Sequence, residues 1–490
     1  MADVRPARRR IAAALCALGA VAALALIAVA IAPHRQDGPV LATIVVGPLA
    51  GQASVGMDEA AGRAYVATTD SGSGSAHGSV RVLDTARAAL IGTTAMPVQA
   101  SGSGVTNVVV DARRGRVYAV NAGSTSCSST GGGPQTCVIT GAAILVLDAR
   151  TRRTLRTLRV DASRALTIDE RSGLLYTLPF APGTVSGGTT PLRAIDPGTG
   201  RTVRTINLPG GGQGFGWGTL AIDGRGTRLV VARTLFGPSR VSPSMDVVDL
   251  TRGRLLRHTP LPGAGGGYYT SALIDEARGR AVLRTGAGVA VLDLRSGALL
   301  RVTPLGAGLG TIVEDTRTGR VFTTTLGAMR TVTTRTSNGS SSTSVPAGVG
   351  SLQTLDARTG ALLHTLPIDL ATTGVMVDER RGRVYVLSVG AADAHNELTR
   401  PGTLSVVDER SGQVVRTLAT GAVPFSLTLD RRADRLLLEC IGPIGGTAPD
   451  DPWGWIPGPV RRLLPFIPRP PAPTPRTPQG SVMILDTTRL

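Results

Sequence analysis

The chain has 490 residues, a formal net charge of +18 and an aromatic content of 3%. All 52 of its Lys and Arg positions are Arg, which excludes Schiff-base lysines and the phosphate-loop lysine, and a core so poor in aromatics must be built from Val, Leu, Ile and Ala. The charge is spread along the chain, with no like-charge run beyond Arg8-Arg9-Arg10, so no nucleic-acid partner is expected, because such a footprint concentrates on one face.

Residues 1–10 form a basic flank and residues 11–32 an uninterrupted apolar run from Ile11 to Ala32. At about 1.5 Å per residue that run crosses a bilayer core as a helix. The positive flank stays in the cytoplasm, so everything after the linker 33–39 is expected outside, on a single-pass signal anchor in the cell membrane. The alternative is secretion after cleavage near Ala30, where Ala28-Val29-Ala30 offers a small-x-small site.

From Val40 to Leu490 one pattern is written eight times, with a period of about 53 residues, in the range of stacked units and propeller blades. An apolar run ends in Asp, and a turn rich in Arg and Gly leads to a β-branched run. A second apolar run then ends in a second Asp, ahead of a turn and a final run. The first aspartates are Asp58, Asp111, Asp169, Asp223, Asp275, Asp315, Asp378 and Asp430. The second are Asp84, Asp148, Asp196, Asp249, Asp293, Asp356, Asp408 and Asp486. Each copy reads as four short strands (inner, second, third and outer), and the first Asp reads as a turn cap. Large apolar residues three and one before the first Asp, such as Val108 and Val110, alternate with a small residue four before it, so a large face can meet a neighbour's small face.

The eighth copy ends after its third strand, Val482–Leu485, whereas Leu41–Val46 at the start reads as an outer strand. The expected fold is therefore an all-β, eight-bladed β-propeller at 40–490, closed by an N-terminal strand that completes the last blade. A monomer is expected.

Arg116-Val-Tyr-Ala-Val-Asn121, Arg383-Val-Tyr-Val-Leu387 and Arg63-Ala-Tyr-Val-Ala-Thr68, each followed by a second apolar run ending in Asp, resemble YVTN-type β-propeller repeats. The resemblance covers about Val40 to Leu490 and implies the surface-layer and exported propellers, with lactonase-like relatives. Copies four, five and eight depart from it, with Leu229, Ala281 and Leu436 where Tyr is expected, and that family is commonly seven-bladed.

The long insertions fall between second and third strands and therefore on one face: Thr68–Ser79, Ala122–Gly141, Pro179–Thr190, Leu235–Ser244, Gly327–Gly350, Ser388–Gly402 and Cys440–Gly480. These read as loops on a rigid scaffold, the pattern of a binding surface for a protein or cell-surface partner. The turns of the opposite face stay tight. A Pro-rich insertion at 441–479 in the last blade carries Trp453, Trp455, Arg461, Arg462 and Phe466, aromatic and arginine anchors for a partner. Cys127 and Cys137 flank one loop, and an exported chain permits a disulfide between them. Asn338-Gly-Ser fits a glycosylation sequon.

A small ligand would meet Asn107, Arg164, Trp217, Tyr268, Tyr269 and Phe425, all at inner-strand entries around the channel mouth. Catalytic residues are not assigned, and neither a metal nor another cofactor is expected: the five His lack metal-ligand spacing, and Glu314 is a lone acid inside an inner strand. The sequence thus reads as a membrane-anchored, extracytoplasmic, non-catalytic binding or scaffold module. The alternative is a lactonase-like hydrolase or lyase working at the channel mouth.

Overall fold

A computed structural model describes residues 38–48, 55–72, 75–99, 105–128, 136–161, 163–179, 188–210, 217–236, 241–261, 271–285, 288–306, 311–336, 339–392, 398–420, 423–441 and 479–490. The basic flank, the apolar run Ile11–Ala32 and most of the linker lie outside the described residues. Within them, no helix is long and apolar enough to cross a membrane.

Eight four-stranded antiparallel sheets follow one another along the chain, each ordered inner, second, third, outer. Blade 1 runs from Val55–Asp58 to Ala89–Gln99, and blade 7 from Thr372–Asp378 to Gln413–Ala419. Blade 8 takes Val423–Asp430, Arg435–Ile441 and Gln479–Asp486 from the end of the chain and its outer strand, Val40–Pro48, from the beginning. That pairing runs from Val40 opposite Leu485 to Pro48 opposite Gln479. The expected eight blades and their closure are both present.

Alternation along each strand sends side chains to the two neighbouring blades in turn. The result is eight separate apolar clusters, one in each gap between blades. Tyr65 of blade 1 packs with Val108, Val117 and Leu145 of blade 2. Tyr118 of blade 2 packs with Leu166 and Ile168 of blade 3. The last gap joins Val46, Leu437, Val482 and Ile484 of blade 8 to Ala64, Val66 and Leu83 of blade 1. The large inner-strand residues do face a neighbour, and Gly56 shows why the opposing face is small. A Cβ there would lie 2.9 Å from both Val108 Cγ1 and Val110 Cγ2.

Strand register corrects the reading of copies four, five and eight. Tyr118 lies opposite Val109, two residues before the first Asp of its blade. The same register gives Val230 opposite Ala221, Val282 opposite Leu273 and Leu437 opposite Thr428. The tyrosine position is therefore held by Val230, Val282 and Leu437. Leu229, Ala281 and Leu436, one residue earlier, project to the other face.

A second regularity is absent from the sequence reading. All eight outer strands slip register at the same place, just after the turn from the third strand. The extra residue of each bulge is Leu41, Ile91, Leu155, Val203, Leu256, Leu300, Leu363 or Val415. Bulges twist an edge strand away from foreign pairing.

Removing residues 38–48 leaves the Gln479–Asp486 edge unpaired and strips Val46 from the last gap. The expected result is loss of a single cooperative thermal transition, followed by circular dichroism; an unchanged melting profile would contradict closure by this strand.

Candidate functional site

On the face of the tight turns, the first aspartate of every blade is buried. Each carboxylate accepts backbone N–H groups two to five residues on, as expected of turn caps. Asp111 accepts from Arg114 N at 3.0 Å, Asp275 from Arg278 N at 2.9 Å, and Asp430 from Arg432 N and Ala433 N at 3.0 and 2.9 Å. The other Asp430 oxygen accepts from the Thr85 hydroxyl at 2.6 Å, tying blade 8 to blade 1. The second aspartates cap the other turns. Backbone N–H donors from Thr151 and Ser411 hold Asp148 and Asp408 below the usual carboxylate range. In blades 2, 4, 5, 7 and 8 the arginine that opens the second strand pairs with the second aspartate of its own blade, Arg116 with Asp148 at 2.8 Å and Arg280 with Asp293 at 3.1 Å among them, whereas Arg320 donates to Glu409 O of the next blade at 2.8 Å.

Two carboxylate pairs bridge blades on this face. Arg278 Nη1 lies 3.2 Å from Glu314 Oε1 and 3.1 Å from Asp275 Oδ2. Burial raises the Glu314 carboxyl, and the Asp275 charge adds to the effect. Arg317 likewise spans Asp315 and Glu409, at 3.1 and 3.4 Å. Glu409 is raised first by burial, then by its hydrogen bond to Asp315. Glu314 is thus not a lone acid. Its companion comes from the neighbouring blade, which spacing along one copy does not reveal. A groove of about 690 Å³ between blades 6 and 7 is lined by Arg317, Arg320, Arg380, Arg381 and Arg410 with Glu379, Asp408 and Glu409.

On the opposite face, several insertions expected as loops are β-ribbons. Blade 1 continues its central pair to Gly72 opposite Ser75, and blade 4 to Phe236 opposite Val241. Blades 2, 6 and 7 add separate hairpins: Ser124–Ser128 with Thr136–Thr140, Met329–Thr336 with Gly339–Pro346, and Ala391–Ala392 with Leu398–Arg400. Ser and Thr dominate several of these strands, and they read as loop composition although Thr favours a pleated backbone.

Asn107 is half-buried and its side-chain amide donates to Leu166 O of the next blade at 3.3 Å. Arg164, Trp217 and Phe425 stand at the starts of the inner strands of blades 3, 4 and 8, with side chains outside the described residues. Arg164 and Phe425 are the extra residues of bulges, between Ser163 and Ala165 and between Pro424 and Ser426. Tyr268, Tyr269, Trp453, Trp455, Arg461, Arg462 and Phe466 lie outside the described residues. Cys127 and Cys137 fall opposite each other in the blade 2 hairpin, again with side chains outside the description.

Buried charge lies between blades toward the ribbon face. Arg233 and Asp246 pair at 2.6 Å, and His258 Nδ1 is 2.7 Å from the other Asp246 oxygen. Arg233 also donates to Pro209 O at 2.7 Å. Arg284 is buried and donates to the carbonyls of Thr285, Gly288, Gly306 and Thr324, and burial lowers it to about 10. Glu439 is 1% exposed, neither oxygen has a hydrogen-bond partner, and burial pushes it up to about 8. An acid within Leu436-Leu-Leu-Glu-Cys440, an otherwise apolar strand, was the available sign.

No family model matches the chain, and no curated protein matches it. Among solved structures, Chaetomium thermophilum Sqt1 bound to the N-terminus of ribosomal protein L10 is similar at 9% identity and TM-score 0.51, covering 91% of this chain and 100% of that one. Saccharomyces cerevisiae Sqt1 gives 10% identity and TM-score 0.49, with coverages of 84% and 94%. Kuenenia stuttgartiensis hydrazine synthase gives 13% and 0.44, with 83% and 95%. Identities this low establish the propeller fold alone.

The Glu439 carboxyl stays protonated in the fold while the unfolded chain ionises near 4.5. Its raised folded value means that its contribution to stability falls as pH rises from about 4.5 to about 8. Glu439→Gln is expected to stabilise the protein at pH 8 and to change little at pH 4, measured by denaturant unfolding. A variant less stable at both pH values would contradict this.

Proposed function

We propose that the protein is a non-catalytic binding or scaffold module of the YVTN-repeat type, held on the outer side of a membrane by Ile11–Ala32. The observation that carries the binding reading is the one-sided elaboration of the fold. Every added ribbon described in blades 1, 2, 4, 6 and 7 extends from a second-to-third connection, hence from one face. The turns of the other face are filled by their own caps. A rigid ring that varies on one side presents a partner surface. The Sqt1 structure with its L10 segment supports a protein partner for a propeller of this kind.

Within this reading the 441–479 insertion, with Trp453, Trp455, Arg461, Arg462 and Phe466, supplies anchors. Asn107, Arg164, Trp217, Tyr268, Tyr269 and Phe425 line the channel mouth. Bulges at Arg164 and Phe425 support the second group, because bulges re-aim side chains beside binding sites. The partner is expected to be captured by the exported domain and lost, at least tenfold in affinity, when 441–479 is replaced by a short Gly-Ser link or the Met329–Pro346 ribbon is removed. Equal capture by all three proteins would overturn the assignment of the face.

Directly opposed residues of an antiparallel pair have Cα atoms about 4.5–5.5 Å apart, within the range for a disulfide. A Cys127–Cys137 bond that stiffens the blade 2 ribbon belongs to the same reading. Alkylation before and after reduction should reveal two additional thiols after reduction; no change would exclude the bond.

A further inference from the structure

We infer that the tight-turn face docks flat on an anionic phospholipid surface, with the exposed outer-strand bulges of blades 2, 3, 5, 6 and 7 forming an apolar girdle along its perimeter, while Leu41, Ile91 and Leu256 of the other blades are partly buried. Charge provides the first argument. The first aspartates of these turns are buried as caps and the second ones, apart from the buried Asp249, are half-buried, while exposed arginines come from the turns of all eight blades, Arg113, Arg225, Arg358 and Arg410 among them. Among the described turn residues of this face, the exposed acids are Glu170 and Glu276. A chain whose positive excess is spread along the sequence therefore presents arginine on this face. The groove between blades 6 and 7 continues this surface inward and has room for a headgroup phosphate.

The bulges provide the second argument. Protecting an edge requires only an unpaired residue; it does not require an apolar one. Yet the extra residue is aliphatic in all eight blades. Leu155, Val203, Leu300, Leu363 and Val415 are 49, 54, 49, 55 and 50% exposed. Each is followed by Arg or His: Arg156, Arg204, Arg301, His364 and Arg416. These positions open the outer strands, which start at the tight-turn face, so the girdle borders the arginine surface. Apolar insertion combined with arginine on phosphate is how a folded surface holds an anionic bilayer.

The distribution selects the occupant. A flat bilayer meets the turn arginines of all eight sectors together, whereas a protein partner would meet an arc. A second copy stacked face to face would set arginine against arginine. Nucleic acid would match the charge but has no use for the aliphatic girdle. Pro39 O accepts from Asp486 N at 2.8 Å at the tight-turn end of blade 8, so the described chain begins at this face, the side on which the proposed anchor joins it. This last support rests on the proposed membrane anchor; the charge and girdle do not.

The test uses residues 38–490, which contain every described residue of the eight apolar gaps. Co-sedimentation is measured with vesicles of phosphatidylglycerol and phosphatidylcholine, and with phosphatidylcholine alone. Binding is expected to the first at 0.1 M salt and at least tenfold weaker to the second. At about 1 kcal/mol per surface arginine, roughly fivefold each, R113E/R225E/R358E/R410E should lose at least a hundredfold. Leu155→Ser with Val203→Ser and Leu300→Ser should weaken binding and steepen its salt dependence. Absence of vesicle binding by the wild-type domain, equal binding to both vesicles, or tighter binding to DNA than to anionic vesicles would each overturn the inference. If the fourfold variant does not fold, the lipid and salt dependence of the wild type decides. Carbonate extraction of the full chain reports separately on the anchor, so loss of one reading is not mistaken for loss of the other.

Discussion

The pairing of Val40–Pro48 with Gln479–Asp486 is the constraint on which the other contacts depend. Each blade buries one side against the blade before it and the other against the blade after it, so an open ring would expose two apolar sheets. The strand from the start of the chain completes the last sheet, and Val46 enters the gap between blades 8 and 1. The Asp430–Thr85 hydrogen bond fastens the same seam on the tight-turn side. Neither contact is available until the ends of the chain have met. The buried Glu439 carboxyl, without a hydrogen-bond partner among the described residues, lies on the same strand face as Leu437 of this gap, so the closing interface also responds to proton concentration.

A division of labour between acids and arginines sets the character of the tight-turn face. First-turn carboxylates turn inward because each satisfies one or two backbone donors that a tight turn leaves unpaired. Guanidinium groups cannot accept those donors; they pair with the cap of their own turn, as Arg114 does with Asp111 at 3.1 Å, or reach neighbouring blades or solvent. Arg114 donates to Glu170 O at 2.7 Å, and Arg432 to Ala60 O at 3.1 Å across the seam. Similar numbers of opposite charges in the sequence of the turns therefore do not produce a neutral surface.

The eight blades, their order and the closing strand were legible in the sequence because they repeat. The aspartates mark each turn, and the truncated last copy exposes its need for Leu41–Val46. Other features were not legible for identifiable reasons. The Ser- and Thr-rich strands Met329–Thr336 and Gly339–Pro346 carry little hydrophobic alternation, so composition pointed to a loop. The Asp275–Glu314 pair joins residues from successive copies, and only the stagger of adjacent blades brings them together. The tyrosine position slipped by one in copies four, five and eight because apolar neighbours on both sides hide the register. For Asn107 the inner-strand entry was readable, but not the amide bond to Leu166 O.

The shared last blade also orders events in time. Gly38 O accepts from the Arg489 side chain, 451 residues later, so the first strand must wait for nearly the entire polypeptide before it finds its neighbours. Seven sheets can assemble as they emerge; the eighth cannot. A ribosome releasing this chain hands over a ring whose last sheet is still open, and a stop within 479–486 takes away the partner of Val40–Pro48.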